Sequence, residues 1–308
     1  MDVPAKAASE AVVAEEVAAV GTVPPPVPRS WFGASSRWGP ILRPAAIYIA
    51  SRIVTLLAMS VSTVIAHQGL GSEINRWDSQ WFLRAASRGW PTRLSMIHGH
   101  VAANTIAFFP ALPLSIRGVS RLTGLSLFAA GTAISSLTGL TAMIAVWVLV
   151  RSYAGGGIAD RATFAVALFP GSFVFSLIYA EGFVITFVAF GLFALSRRRW
   201  LLAGLLGLLA TFTAPIALPF VVSCLWAALV AIRSRRDWRA LAAPVLAPLG
   251  FVAYISWIWW HTGSVSTWRA TERGGWKSYL SIVYPFHIVA SFVTHPLTST
   301  ATTNLLFA

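Results

Sequence analysis

The run GLSLFAAGTAISSLTGLTAMIAVWVLV, residues 124–150, contains no charged side chain. A helix needs about 20 consecutive apolar residues to cross the hydrocarbon core of a bilayer, and this run exceeds that length. Across the chain, 56% of residues are hydrophobic and only 11% are charged, whereas soluble domains carry about 25% charged residues. The sequence therefore predicts an all-α polytopic membrane protein, with one transmembrane domain over residues 41–308.

Further membrane helices are predicted where apolar runs recur. The run 162–195 is interrupted at Pro170 and Glu181, and the run 200–232 is interrupted near Pro215. Each run is therefore expected to form two helices, since proline interrupts the backbone hydrogen-bond ladder. The remaining predicted helices cover residues 41–66, a proline-kinked segment at 105–122, residues 240–260, and a last stretch from about 279 to the end.

The N-terminal segment, residues 1–40, differs in composition from the rest. It is rich in alanine and proline and contains Pro24-Pro25-Pro26-Val27-Pro28, which predicts a disordered cytoplasmic tail. Its start is not basic and it has no continuous apolar core, so a signal peptide is not expected. The only cysteine, Cys224, cannot form a disulfide within one chain.

The distribution of basic residues predicts an orientation. The net charge is +13, but the cations cluster in short loops, as in membrane topology signals, so nucleic acid is not an expected partner. The basic runs 197–199 and 233–239 are expected in the cytoplasm. The loops that carry Asp78, Glu181 and residues 261–278 then face the other side. This orientation requires that the segments 105–122 and 124–150 do not both cross the membrane completely, and the segment 105–122, with its two prolines, is the one expected to be partial.

The first outer loop, about residues 67–104, holds the strongest candidate for chemistry. Trp77 and Trp81 are four residues apart, as are Asp78 and Phe82, which predicts a short helix in the membrane interface. We expect its aromatic face in lipid and Asp78 towards water. A partly desolvated carboxylate is a good proton acceptor. The alternative is that Asp78 is only the N-cap of this helix.

Two further acids are candidates. Glu181 follows Tyr179 in an apolar run, and is either functional or an acid favoured by the helix dipole at a helix start. Glu272 lies among Arg269 and Arg273, cations that suit a lipid phosphate or pyrophosphate, or headgroups in general.

Other polar residues in the chain give weaker signals. His98 and His100 are two residues apart, which is not sufficient for a metal site, so none is assigned. Arg52, inside the first predicted helix, is expected either to extend to the headgroups or to contact a lipid phosphate.

Several short segments resemble the PIG-V-type mannosyltransferases, that is, the GPI mannosyltransferase 2 family and its bacterial relatives. Trp77-Asp78 followed by Phe82 resembles the Trp-Asp-x-x-x-Phe segment of the family's first luminal loop. The similarity covers about residues 45–278 in total. The other similar segments are Phe108-Phe109-Pro110 with Pro113, Pro170 with Tyr179-Ala180-Glu181, and Gly263 to Trp276.

The resemblance implies a GT-C glycosyltransferase with a GT-C-like helical bundle. Such an enzyme transfers a sugar, here expected to be mannose, from a polyprenyl-phosphate donor to a glycolipid or envelope glycan on the extracytoplasmic face of the cell membrane. Asp78 would be the general base and Glu181 a second catalytic acid. No cofactor is required, and a divalent cation is left open. The expected substrate-binding residues are Arg76, Trp77, Trp81, Tyr179, Arg269, Glu272 and Arg273.

The chain departs from the family pattern at two positions. Ala214 and Ala217 stand where family members often have arginine and glycine, and the chain is shorter than its relatives at its C-terminal end. Two alternatives therefore remain: a transporter or flippase of a lipid-linked substrate, because broken helices near acids and arginines also suit that class, and an inactive truncated membrane subunit.

Overall fold

The computed structural model describes residues 39–65, 67, 69–97, 99–277, 290 and 294, and this part of the chain is mostly helical. The predicted tail up to residue 38 and the last apolar stretch from 279, apart from those two single positions, lie outside the described residues. Short 3₁₀ helices occur at Thr105–Ala107, Pro170–Ser176, Pro215–Ala217 and Trp238–Leu241. The other elements are α1 Gly39–Ile65, α2 Leu70–Ile74, α3 Asp78–Arg88, β1 Met96–Ile97 paired antiparallel with β2 His100–Val101, α4 Ala111–Thr123, α5 Leu127–Ala154, α6 Gly156–Leu168, α7 Glu181–Ser196, α8 Trp200–Thr213, α9 Pro219–Arg235, α10 Ala242–Leu246, α11 Leu249–Thr262 and α12 Thr267–Gly275.

The helices confirm a multi-pass, all-α membrane protein. A fifth span is present if α6 and the 3₁₀ helix after it, which are bent by 79°, form one broken span. The bend follows from Pro170, because the residue before a proline is driven out of the helical region. Helices α7 and α8 are shorter apolar helices. The four helical stretches long and apolar enough to cross a bilayer are Ile41–Ile65, Leu127–Ala154, Pro215–Arg235 and Trp238–Thr262.

The segment 105–122 does not form the predicted kinked helix. Pro110 is the N-cap of α4 and Pro113 lies in its first turn, where the missing N–H is not needed, so the prolines begin the helix instead of bending it. The 13 residues of α4 extend about 20 Å at 1.5 Å per residue, which is less than a bilayer core. The segment is also not among the candidate membrane spans, in line with the prediction that it does not cross the membrane completely.

Close contacts between helix backbones hold the bundle together. A Cβ on Gly182 of α7 would lie 2.6 Å from Thr138 Oγ1 and 2.8 Å from the Gly139 nitrogen of α5. A Cβ on Gly139 would lie 2.6 Å from the Tyr48 hydroxyl of α1. Small residues allow helices to approach this closely in membranes, where van der Waals packing largely replaces the hydrophobic effect between helices. These glycines therefore allow both α7 and α1 to pack closely against α5.

Acid–tryptophan contacts fix the end of the bundle that carries the basic loops. Asp160 accepts hydrogen bonds from Trp147 Nε1 at 2.7 Å and from Arg43 Nη1 at 3.1 Å. Asp237 accepts one from Trp200 Nε1 at 2.8 Å. We call this the basic end, because the basic runs 197–199 and 233–239 adjoin these contacts.

Both predicted roles of Arg52 are wrong. Its side chain is buried and donates to Ser172 O at 2.6 Å, Ala167 O at 2.9 Å and Ser176 Oγ at 3.0 Å. The last carbonyls of a helix have no partner within the helix, and Pro170 interrupts the backbone just after α6. Arg52 supplies hydrogen bonds at this break, so it contacts protein and not headgroups.

Candidate functional site

Most of the acids in the described residues have a structural partner. Glu73 accepts two hydrogen bonds of 2.9 Å from Arg76, and the acids of the basic end are bonded as described above. Asp78 and Glu181 differ, because within the described part of the chain neither forms an ion pair or a side-chain to side-chain hydrogen bond. An acid in a membrane protein that no cation neutralises is a candidate functional group.

Asp78 lies where α3 meets the segment before α7. The backbone N–H of Asp78 donates to the Tyr179 hydroxyl at 3.3 Å, and Ser79 Oγ accepts from the Ile178 N–H at 3.2 Å. Asp78 is the first residue of α3, and the N-cap position belongs to Trp77, whose φ of 48° is unusual for a bulky residue. The N-cap alternative for Asp78 is therefore not supported. The turn at Trp77 directs the start of α3 towards Tyr179.

The predicted orientation of α3 is wrong, although its helical spacing is right. Phe82 is only 7% exposed and packs edge-on against Phe108, with ring centroids 4.9 Å apart. Trp81 stacks on Phe108 at 6.2 Å and meets Trp276 at 5.0 Å, and the Arg84 guanidinium lies 4.4 Å from the centre of the Trp81 ring. The aromatic face of α3 therefore packs on protein and not on lipid. Asp78, at the start of the same helix, is half-buried.

Glu181 is the first residue of α7, outside the candidate spans. Its Oε2 is completely buried and has no hydrogen-bond partner among the described residues. Burial raises the pKa of Glu181 to about 7; the negative charge of Asp78 raises it further, while the backbone N–H groups of Glu181 and Ala180 lower it. Near neutral pH this carboxyl is therefore present in both protonation states.

Burial also raises the pKa of Asp78 above its ordinary value. The pKa of Tyr179, between the two acids, is raised by burial first and by the Asp78 charge second. Two carboxyl groups from segments about a hundred residues apart therefore lie at one tyrosine, and each raised pKa makes its carboxylate a stronger base. We call Asp78, Tyr179 and Glu181 the acidic site.

The segment 261–277 approaches the acidic site through aromatic and amide contacts. Trp276 Nε1 donates to Asn104 O at 3.3 Å, and Asn104 Nδ2 donates to Thr271 Oγ1 at 3.3 Å. Because Trp276 also contacts Trp81 of α3, the three predicted acid-bearing segments lie at the same end of the bundle.

The predicted substrate-binding residues have different environments. Arg269 and Arg273 are exposed on α12 and Glu272 is half-buried. Among the described residues, no hydrogen bond or ion pair joins either of these arginines to the acidic site. Arg76 is paired with Glu73 and lies 5.5 Å from the centre of the Trp77 ring. Trp77 is 49% exposed beside Asp78.

Two serines at the site were missed by sequence reasoning. Ser135 of α5 accepts from the Tyr179 N–H at 3.2 Å and lies 3.3 Å from the Tyr179 carbonyl oxygen, and Ser79 holds the neighbouring Ile178. Hydroxyl groups in apolar helices commonly bond across to other segments. Ser135 in the middle of an apolar run was the available signal.

No metal centre is assembled in the part of the chain that the structure describes. No group of three or more His, Cys, Asp or Glu side chains there could hold an ion, and His98 lies outside that part. The acidic site provides carboxylates from only two residues.

Comparison with known proteins finds no matching family model, no matching curated protein and no matching solved structure. The function therefore has to be argued from the acidic site and from the similarity of the short segments.

Proposed function

We propose that this chain is a membrane glycosyltransferase that transfers a sugar, with mannose as the expected one, from a polyprenyl-phosphate donor to a glycolipid or envelope glycan. The observation that carries the proposal is the meeting of Asp78 and Glu181 at Tyr179, without a neutralising cation among the described residues. Asp78, Tyr179 and Glu181 also lie in the segments that resemble PIG-V mannosyltransferases. A GT-C-like helical bundle is part of the proposal.

In the proposed reaction, Asp78 is the general base. The acceptor hydroxyl oxygen forms a bond to the anomeric carbon, the bond from that carbon to the phosphate oxygen breaks, and the hydroxyl proton moves to the Asp78 carboxylate. The lipid phosphate leaves with the bonding electrons. The raised pKa of Asp78 supports this role, because a base is more effective when its pKa is nearer to the working pH.

Glu181 has a second role in the proposal. With a pKa of about 7, it can donate a hydrogen bond in its protonated form, which a carboxylate with an ordinary pKa cannot do at neutral pH. A protonated Glu181 beside the Asp78 carboxylate avoids two like charges in one buried site. In the proposal, the Glu181 atom that contacts the substrate is Oε2, which has no hydrogen-bond partner among the described residues.

The proposal also places the acidic site on the extracytoplasmic face of the cell membrane. Supporting this orientation, the basic runs 197–199 and 233–239 lie at the opposite, basic end of the bundle. Clusters of arginine and lysine in short loops stay in the cytoplasm.

The test is sugar transfer in membranes that contain the protein, using a radiolabelled polyprenyl-phosphate mannose and a lipid extract as acceptor. We expect Asp78→Asn to reduce the rate by about 10²- to 10⁴-fold, the usual contribution of a general base. Asp237→Asn, which removes an acid at the basic end, is the matched control and should keep the wild-type rate. Wild-type transfer by Asp78→Asn contradicts the base assignment, and lipid movement across proteoliposomes without a transfer product favours a flippase.

A further inference from the structure

A cavity that is separate from the acidic site lies beside the C-terminal end of α3. Its volume is about 560 Å³, within the range of sites that bind small molecules. Its walls come from α3, α4, α8 and α11 and from the chain just after α3. The residues that line it are Arg88, Gly89, Trp90, Pro110, Leu114, Arg117, Phe212, Ala253, Tyr254, Trp257 and His261.

The polar groups of Trp90, Tyr254 and His261 in this lining are already hydrogen-bonded to the protein backbone. Trp90 Nε1 donates to Phe108 O at 3.0 Å, and the Tyr254 hydroxyl donates to Ile106 O at 2.9 Å. The ring of His261 lies with Nε2 3.1 Å from Trp90 O, and because a carbonyl oxygen only accepts, this nitrogen is the donor. These side chains therefore present mainly ring surface to the cavity.

Two arginines provide the charge of the cavity. Arg117 is held in place because its Nε donates to Ala86 O at 2.6 Å and its Nη2 to Ala85 O at 3.1 Å, the last carbonyls of α3. Arg88 is exposed. Within the described residues neither arginine forms an ion pair, and no acidic residue lines the cavity. The site therefore has two cations and apolar walls.

A smaller cavity adjoins this larger cavity at Arg88. Its volume is about 260 Å³, and its lining combines the polar residues Gln80, Arg84 and Ser87 with the apolar residues Leu83, Leu127 and Phe128. Arg88 lines both cavities. A pocket that offers polar groups, next to a cavity with apolar walls, matches a molecule with a polar head and an apolar chain.

The position of the larger cavity points to the bilayer as the source of that molecule. Leu114 and Ala253, on its rim, are exposed on the outside of the bundle, and Ala253 belongs to a candidate span. Trp257 is close to the end of the same span, at Thr262, where tryptophans commonly mark the headgroup level. A lipid phosphate at Arg88 and Arg117 would thus lie at headgroup depth, with its chain passing Leu114 and Ala253.

We propose that this cavity is a binding site for an anionic phospholipid of the surrounding bilayer. The phosphate contacts Arg88 and Arg117, one acyl chain lies along the aromatic wall, and the uncharged part of the head occupies the pocket at Gln80. Among the described residues, a headgroup amine finds no carboxylate in either lining. The site therefore prefers phosphatidylglycerol to phosphatidylethanolamine.

This lipid site is distinct from the acidic site and does not depend on the glycosyltransferase proposal. Arg88 is ten residues after Asp78 in the same helix, which separates the two by about 15 Å along the axis of α3. A lipid held at Arg88 and Arg117 contacts the last turn of α3, the helix whose first residue is Asp78. Its effect on the acidic site is therefore to stabilise α3, not to take part in the chemistry.

The experiment measures lipid binding to the purified full chain in detergent, by native mass spectrometry and by thermal shift. The lipids are phosphatidylglycerol, phosphatidylethanolamine, diacylglycerol and glycerol 3-phosphate. We expect phosphatidylglycerol to bind about tenfold more tightly than phosphatidylethanolamine, because the ammonium group of the latter places a further positive charge beside the two arginines, and the compounds that lack either the phosphate or the chains to bind much more weakly.

Three variants test the assignment of the cavity. Arg88→Gln, whose side chain has no hydrogen bond to the protein in the described residues, should weaken phosphatidylglycerol binding about tenfold and abolish the preference. Ala253→Phe, which fills the apolar part, should weaken all diacyl lipids. Arg121→Gln removes an exposed arginine one turn beyond Arg117, outside the lining, and should bind as the wild type does. Unchanged affinity of Arg88→Gln, or equal binding of diacylglycerol and phosphatidylglycerol by the wild type, overturns the proposal.

Discussion

The pKa of Glu181 predicts a specific dependence of stability on pH. In the folded protein this pKa is about 7, against an ordinary value of 4.5. The folded state therefore holds the Glu181 proton more tightly than the unfolded state. Its contribution to the free energy of unfolding is complete below pH 4.5, decreases as the pH rises through the interval from 4.5 to 7, and is absent above it.

The magnitude follows from the difference between the two pKa values. About 2.5 pH units, at about 1.36 kcal/mol per unit, correspond to about 3 kcal/mol. We expect wild-type protein to lose up to this amount between pH 4.5 and pH 7 relative to Glu181→Gln, because glutamine does not titrate. The two proteins are compared by the slope of their free energy of unfolding against pH, because an amide in place of the buried Oε2 also changes the absolute stability.

The assay is unfolding by SDS titration in mixed micelles at several pH values from 5 to 8, followed by tryptophan fluorescence. Glu181→Asp retains a titratable group and should keep a pH-dependent slope. Asp78→Asn should move the interval to lower pH, because the Asp78 charge raises the pKa of Glu181. If wild type and Glu181→Gln show the same slope between pH 5 and 7, Glu181 is not the buried, poorly solvated acid described here.

Four further predictions have defined outcomes. Arg52→Lys should reduce the free energy of unfolding by about 2–4 kcal/mol, because an ammonium cannot reproduce the guanidinium's several charge-assisted bonds; equal stability contradicts that role. Gly182→Ala should cost about 1–3 kcal/mol through overpacking, measured by the same SDS titration. Trp276→Ala should reduce the rate of sugar transfer even at temperatures at which the variant is fully folded, because the substitution removes the contact between the end of α12 and Trp81 of α3. A wild-type rate in the folded variant indicates a purely structural residue. In whole cells, an impermeant maleimide should label Gln80→Cys and leave Arg198→Cys unlabelled, and the reverse pattern contradicts the orientation; the native cysteine is buried.

The membrane class and most helix positions could be predicted because they depend on composition along the chain. The run 124–150 lies almost entirely within α5, and the expected breaks at Pro170 and Pro215 are present. Burial of apolar residues in lipid and the missing N–H of proline are local properties. The kink expected from Pro110 and Pro113 was wrong, because a proline bends a helix only where the helix has already begun.

The surroundings of individual polar residues could not be predicted. Sequence spacing gave the helical face of α3 correctly but assigned it to lipid, since Phe108 and Trp276, which cover that face, are distant in the chain. Arg52 was assigned to headgroups for the same reason, because its acceptors lie more than a hundred residues away. A side chain cannot be matched with its partner until the packing of the helices is known.

For the candidate site, local hydrophobicity is sufficient to identify Asp78 and Glu181 as costly acids in an apolar chain. The distribution of arginines also places them at the same end of the protein. Their meeting at Tyr179, with Ser79 and Ser135 fixing the two segments, becomes visible only in the packed helices. The physical reason is that the cost of burying a charge can be estimated from local hydrophobicity, whereas the pKa depends on distances between groups from separate helices.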